Sequence, residues 1–128
     1  MPFGPTIAND ILGLTLLGSP FTAIGTVWMA LCSSIGSVGL SVAEVPTGTG
    51  YARQRIIFGA LSNRRSTNTN SFTYPAASTP WGDLPYIGLY DAATSGNLVA
   101  FGTMASTKTV ATSVIVACHI GSVTLSMN

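Results

Sequence analysis

Two apolar blocks, Tyr86–Tyr90 and Leu98–Phe101, flank a polar, small-residue segment at Asp91–Asn97. Apolar runs around a segment containing Ser95-Gly96-Asn97 predict an antiparallel hairpin across Trp81–Gly102, because glycine supplies the positive φ that tight turns need. Gly88 and Gly102, one on each arm, mark a bulge or a close backbone approach. Upstream, Ile7, Ile11, Leu14 and Leu17 recur at helical spacing, and Leu12 and Leu16 widen that face. A short helix is expected over Thr6–Leu17, with Thr6 as N-cap, Gly18 as stop and Pro20 preventing resumption. So apolar a helix must lie against a sheet or a neighbouring subunit. Met1–Pro5 precedes it as an irregular arm.

Thr26–Ser33 is apolar on both faces of an extended chain, with Val27, Met29 and Leu31 opposite Trp28, Ala30 and Cys32, and reads as a central strand. Ser34–Thr49 has no clear pattern until the turn signal Val45–Gly48. Tyr51–Phe58 alternates, which places Tyr51, Arg53 and Arg55 on one strand face. That face is either a partner contact or simply solvated. Leu61–Ser71 is the most polar stretch and reads as an exposed loop. Ser71–Tyr74 is a short strand candidate, and Pro75–Pro80 a turn-rich connector. Ser113–Cys118 and Ser122–Met127 are the last two strand candidates, beyond the Thr- and Ser-rich segment Thr103–Thr112. One helix followed by about seven short strands, without strand–helix alternation, predicts a mainly β fold: an antiparallel β-sandwich or a barrel-like, jelly-roll type. The 128 residues are expected to form one domain.

Composition changes the picture on one axis. Charged residues make up 7% of the chain, against roughly 25% in an ordinary soluble domain. Copies of such a chain repel each other weakly, which points to life against other protein surfaces. The +1 net charge argues against nucleic acid as main partner, since backbone binding needs a clustered basic field. Gly18-Ser19-Pro20 interrupts the uncharged stretch Ile11–Ala43, so no membrane span and no membrane partner are expected. No basic residue precedes the apolar run, so synthesis in the cytoplasm without a signal peptide is expected. Cys32 and Cys118 lack any metal-ligand spacing and read as buried free thiols, although pairing between them stays open.

The groups that enzymes use are sparse. His119 follows Cys118 directly, so on a strand the two point to opposite faces and form no nucleophile–base couple. Asp10, Glu44, Asp83 and Asp91 lie in different elements, and Asp83 and Asp91 suit turns. Gly48-Thr49-Gly50-Tyr51 precedes a strand and carries Arg53 where a dinucleotide loop has its third glycine. An enzyme is not expected, nor a cofactor or a metal site.

Several motifs in series carry a family resemblance: the apolar helix, the strand ending Met29-Ala30-Leu31, Gly50–Gln54, Phe72–Ala77, Trp81-Gly82, Gly88–Leu98, Lys108–Val110 and the final Val123-Thr124-Leu125. In this order the chain resembles a family of small tailed-phage virion proteins, labelled either as capsid decoration (cement) proteins or as tail-fibre proteins. The resemblance implies a β-sandwich on the outside of a phage particle that contributes contacts. Without heptads or repeats to build a shaft, the expectation favours a cement protein on the outer capsid surface. Such a protein bridges major capsid protein subunits and associates with copies of itself as a dimer or trimer. The alternative is a tail-fibre or receptor-binding module, in which Trp81, Tyr86 and Tyr90 could line a sugar-binding surface, although aromatic core residues flanking a hairpin are the favoured reading. The expected contact segments are the arm and the Asn63–Asn70 loop. Their expected contact residues are Met1, Pro2 and Phe3 with the charge clusters Arg53, Arg55, Arg64 and Arg65.

Overall fold

The computed structural model describes residues 3–18, 25–36 and 41–126. The helix, α1, begins one residue earlier than expected, at Pro5–Leu12, and continues as a π turn over Gly13–Leu17. Gly4, not Thr6, is the N-cap and Pro5 opens the first turn, where a missing N–H costs nothing. The Thr15 hydroxyl donates back to the Ile11 carbonyl at 2.8 Å, competing with the backbone ladder where the helix widens. Gly18 ends it with φ +65°, as its sequence position implied. Ile7 is buried and Ile11 packs on the core. Leu12, Leu14, Leu16 and Leu17 are exposed, so only one edge of the broad apolar face meets the sheet.

Nine strands follow: β1 Val27–Ile35, β2 Val42–Glu44, β3 Gln54–Ile56, β4 Arg65–Thr67, β5 Phe72–Thr73, β6 Gly82–Tyr90, β7 Leu98–Val110, β8 Ala117–Cys118 and β9 Thr124–Ser126. The main sheet runs β2-β1-β6-β7, with β3 joining β2 on the same side of β1. All its pairings are antiparallel. Two small antiparallel ribbons, β4–β9 and β5–β8, complete the fold. The molecule is therefore mainly antiparallel β with one short N-terminal helix, and its sheets do not close into a barrel.

β1 is central, as its two apolar faces required. Met29 and Leu31 join Ile87, Leu89, Tyr74 and Val123 in the larger core, while Ala30 and Cys32 join Tyr90, Leu98 and Phe101 on the other face. A Cβ on Gly88 would sit 3.2 Å from both Leu98 and Tyr90, so this crowded second cluster has room only for glycine there. The Trp81–Gly102 hairpin exists, but its arms extend well past the apolar blocks. Cys32 and Cys118 are both buried and free. Burial, then the neighbouring Glu44 charge, push the Cys32 thiol up from 9.0 to about 12.

The arm is no free tail at residues 3 and 4. Phe3 bridges Ala100 on β7, and the Gly4 N–H donates to the Val99 carbonyl at 2.8 Å. A Cβ on Gly4 would overlap the Leu98 carbonyl oxygen, so glycine permits the approach. The Leu61–Ser71 segment also departs from an exposed loop. Phe58 bridges Asn68 and Ser62 bridges Arg65, which makes a hairpin whose second arm is β4.

Candidate functional site

The arginines that looked alike in sequence occupy opposite environments. β3 starts only at Gln54, so the chain at Arg53 is not held in strand alternation. Its guanidinium turns inward and grips Glu44 with two parallel bonds, Nε to Oε2 and Nη2 to Oε1, each 2.8 Å. Nη1 donates to the carbonyls of Ala92 and Ser95 at 2.9 and 2.7 Å. The guanidinium carbon lies 3.7 Å from the Tyr90 ring centroid, a cation–π contact with Tyr90 rather than Tyr51. Only 8% of the Arg53 side chain is exposed. Burial works against its charge, but the hydrogen bonds and charge of Glu44 outweigh that and hold the group above its ordinary value. Tyr51 donates its hydroxyl to the same carboxylate. Its ring stacks on Tyr74 and meets Trp81 edge-on. Arg53 is thus a clamp between β2, the Asp91–Asn97 loop and the sheet, with its guanidinium engaged inside the protein.

Phe3 is half-buried and packed on the core. Met1 and Pro2 lie outside the described residues. Trp81 is buried, with its indole N–H donating to the Thr49 carbonyl at 3.0 Å, and Tyr86 and Tyr90 belong to the second core cluster. Trp81 and Tyr90 are core rings, whereas Tyr86 is partly buried and packs against the second cluster.

Arg55, Arg64 and Arg65 are exposed. Asn63 and Arg64 form the tip of the second hairpin with φ of 51° and 63°, and Ser62 and Arg65 exchange backbone bonds at 3.0 and 3.1 Å. Two central residues at positive φ are the I′ geometry, usually Asn-Gly. An arginine in the second position carries a backbone cost that glycine avoids. Leu61, 81% exposed, stands beside this tip.

The base of the hairpin is fixed by a residue the sequence did not single out. Asn68 is 1% exposed. Its Nδ2 donates to the carbonyls of Asn70 and His119 at 2.8 and 2.9 Å, and its Oδ1 accepts the Val123 N–H at 2.9 Å. Its backbone bonds Val123 and Gly121 as well. One side chain therefore fastens the β4 hairpin to the turn between β8 and β9. The only available signal was an asparagine among apolar-flanked strands, and its partners lie some fifty residues away.

That turn also walls a cleft of about 360 Å³ between the main sheet and the ribbons. Met29, Leu31 and Ile87 line it from the sheet, Val123 from the opposite side, and Lys108 and His119 are among its lining residues. Among the described residues no group of His, Cys, Asp and Glu is arranged to hold a metal ion, and no helix is long and apolar enough to cross a membrane.

The scaffold just described is a small β protein with one outward arginine tip. A model of the podophage GP4 fiber I protein gp80 family matches residues 2–126. The chain belongs to that family. It is accordingly a phage virion protein, as the motif series implied. No individually curated protein matches it. Nearly every element placed above, from Gly4 to the end of β9, falls within the gp80 match.

Proposed function

We propose that this chain is a fibre component of a podophage virion, acting through surface contact and not through catalysis. The observation that carries the reading is the family match, whose description names a fiber protein and spans residues 2–126. The sequence alone favoured a capsid cement protein on the outer head surface, and the family description suits the fibre alternative better. The exposed tip at Asn63–Arg65 supports a contact role: a cationic residue is kept there in a backbone conformation that costs energy, on a base that Asn68 makes rigid. In this reading Arg55, Arg64 and Arg65 meet acidic groups of a neighbouring virion protein. The 7% charge content supports packing of copies side by side, as a dimer or trimer. No nucleic acid, membrane or cofactor enters the proposal.

Gold-labelled antibody against the chain, imaged on intact virions, tests this. Label on the tail fibres is the expected result. Label spread over the capsid faces would replace the fibre role with capsid cementing.

A further inference from the structure

The ladder between β6 and β7 opens in the middle. Leu84 pairs with Lys108 and Tyr86 with Thr103, so residues 104–107 bulge out opposite Pro85. Proline has no N–H to give to a ladder, which explains why pairing fails there. The bulge forms one wall of the cleft of about 360 Å³, and the Asn68-fixed turn forms the other. A volume of this size falls within the range of small-molecule sites, roughly 300–1,000 Å³.

The lining selects the ligand chemistry. Met29, Ile87, Met104 and Val123 give it an apolar floor. Two of the polar groups beside that floor are already engaged within the protein: the Tyr74 hydroxyl donates to the Met29 carbonyl at 2.7 Å, and the Ser122 hydroxyl to the His119 carbonyl at 2.6 Å. The Thr103, Ser106 and Thr124 hydroxyls also line the cleft, so the charge and the apolar contact select the ligand. Lys108 is among the lining residues, and the lining contains no Asp or Glu. Among the described residues Lys108 has no ion-pair partner. An apolar interior with one unpaired cation fits a molecule with an apolar tail and a single negative charge. We propose that the cleft binds a small amphipathic carboxylate, its tail against Met29, Ile87, Met104 and Val123 and its carboxylate at Lys108. The inference is independent of where on the virion the chain sits.

Met29 and Met104 both line the cleft, so their methyl groups report occupancy directly. The full chain, methyl-labelled at methionine, is titrated with decanoate, decanol and glucuronate and followed by NMR. Saturable shifts of both methyls with decanoate are expected, with weaker binding of decanol and none of glucuronate. Lys108→Met is at an exposed position and should keep the fold, which its backbone amide spectrum verifies. It should weaken decanoate about tenfold, the equivalent of one charge-assisted contact, and leave decanol unchanged. Absence of saturable shifts with decanoate, tighter binding of glucuronate, or an unaltered decanoate affinity in Lys108→Met would overturn the proposal.

Discussion

Two hairpin turns among the described residues place two successive residues at positive φ, and they are held in opposite ways. At Asp91–Asn97, Ser95 and Gly96 have φ of 54° and 77°. There Arg53 grips two carbonyls from outside the loop, and the Asp91 carboxylate accepts the Asn97 N–H at 2.7 Å. At Asn63-Arg64 the turn is closed only by its own backbone pair, and the side chains point to solvent. The first turn consumes an arginine to build the fold; the second presents one. Residue type does not distinguish these roles. A carboxylate and an aromatic ring within reach, with burial to strengthen the contacts, make Arg53 structural, and their absence near the tip leaves Arg64 and Arg65 free to meet something else.

The comparison can be broken at several points. Asn68→Ala should have the largest effect, about 3 kcal/mol of stability lost in urea unfolding, because the buried Val123 N–H loses its acceptor and the Asn70 carbonyl its donor together. It should also free the base of the tip, read as faster amide exchange across 58–68. Arg53→Met should cost about 2 kcal/mol, since it leaves the partly buried Glu44 without its cation and the Asp91–Asn97 loop without its clamp. Its control, Arg64→Ala with Arg65→Ala, should leave the urea midpoint unchanged. Arg64→Gly should stabilise by about 1 kcal/mol, as it relieves the left-handed backbone at the tip.

Alkaline pH acts on the clamped side alone. The Cys32 thiol is pushed from 9.0 to about 12 in the fold. Above pH 9 the unfolded chain releases a proton that the folded chain still holds. The stability is full below that pH and falls as pH rises from 9 towards 12. Burial raises Tyr51, Tyr74 and Tyr90 in the same sense. Cys32→Ala should flatten the decline of the urea midpoint between pH 9 and 11, whereas changes at Arg64 should not alter it.

What the sequence showed was whatever burial had written into contiguous residues. β1 and the inner halves of β6 and β7 were legible because both their faces are apolar. The outer stretches, Gly82–Leu84 and Lys108–Val110, resume the pairing beyond the bulge at 104–107, but Asp83, Lys108 and Thr109 leave them no apolar run, so the hairpin looked shorter than it is. Arg53 was misplaced because alternation was counted from Tyr51, while pairing with β1 begins at Gln54; its partners come from two other segments, Glu44 on β2 and the stretch from Tyr90 to Ser95. The polar run at 61–71 looked like a loop because its hydrophobic contribution is small. Asn68 and Ser66 are nevertheless buried there, held by backbone groups that no local pattern reveals. The tip passed unnoticed since its turn lacks the glycine that normally announces it. The cleft at Lys108 needed the Pro85 break and the β8–β9 turn together, and neither implies the other.

Charge reversal at the two arginine sites tests the division between them most directly. Phage carrying Arg64→Glu with Arg65→Glu are compared with phage carrying Arg53→Glu. For the tip variant, the account predicts purified protein with an unchanged melting temperature and particles that lose the chain or fail to adsorb. For Arg53→Glu it predicts a protein that melts markedly lower by itself. Tip-variant particles with full copy number and normal adsorption would contradict it.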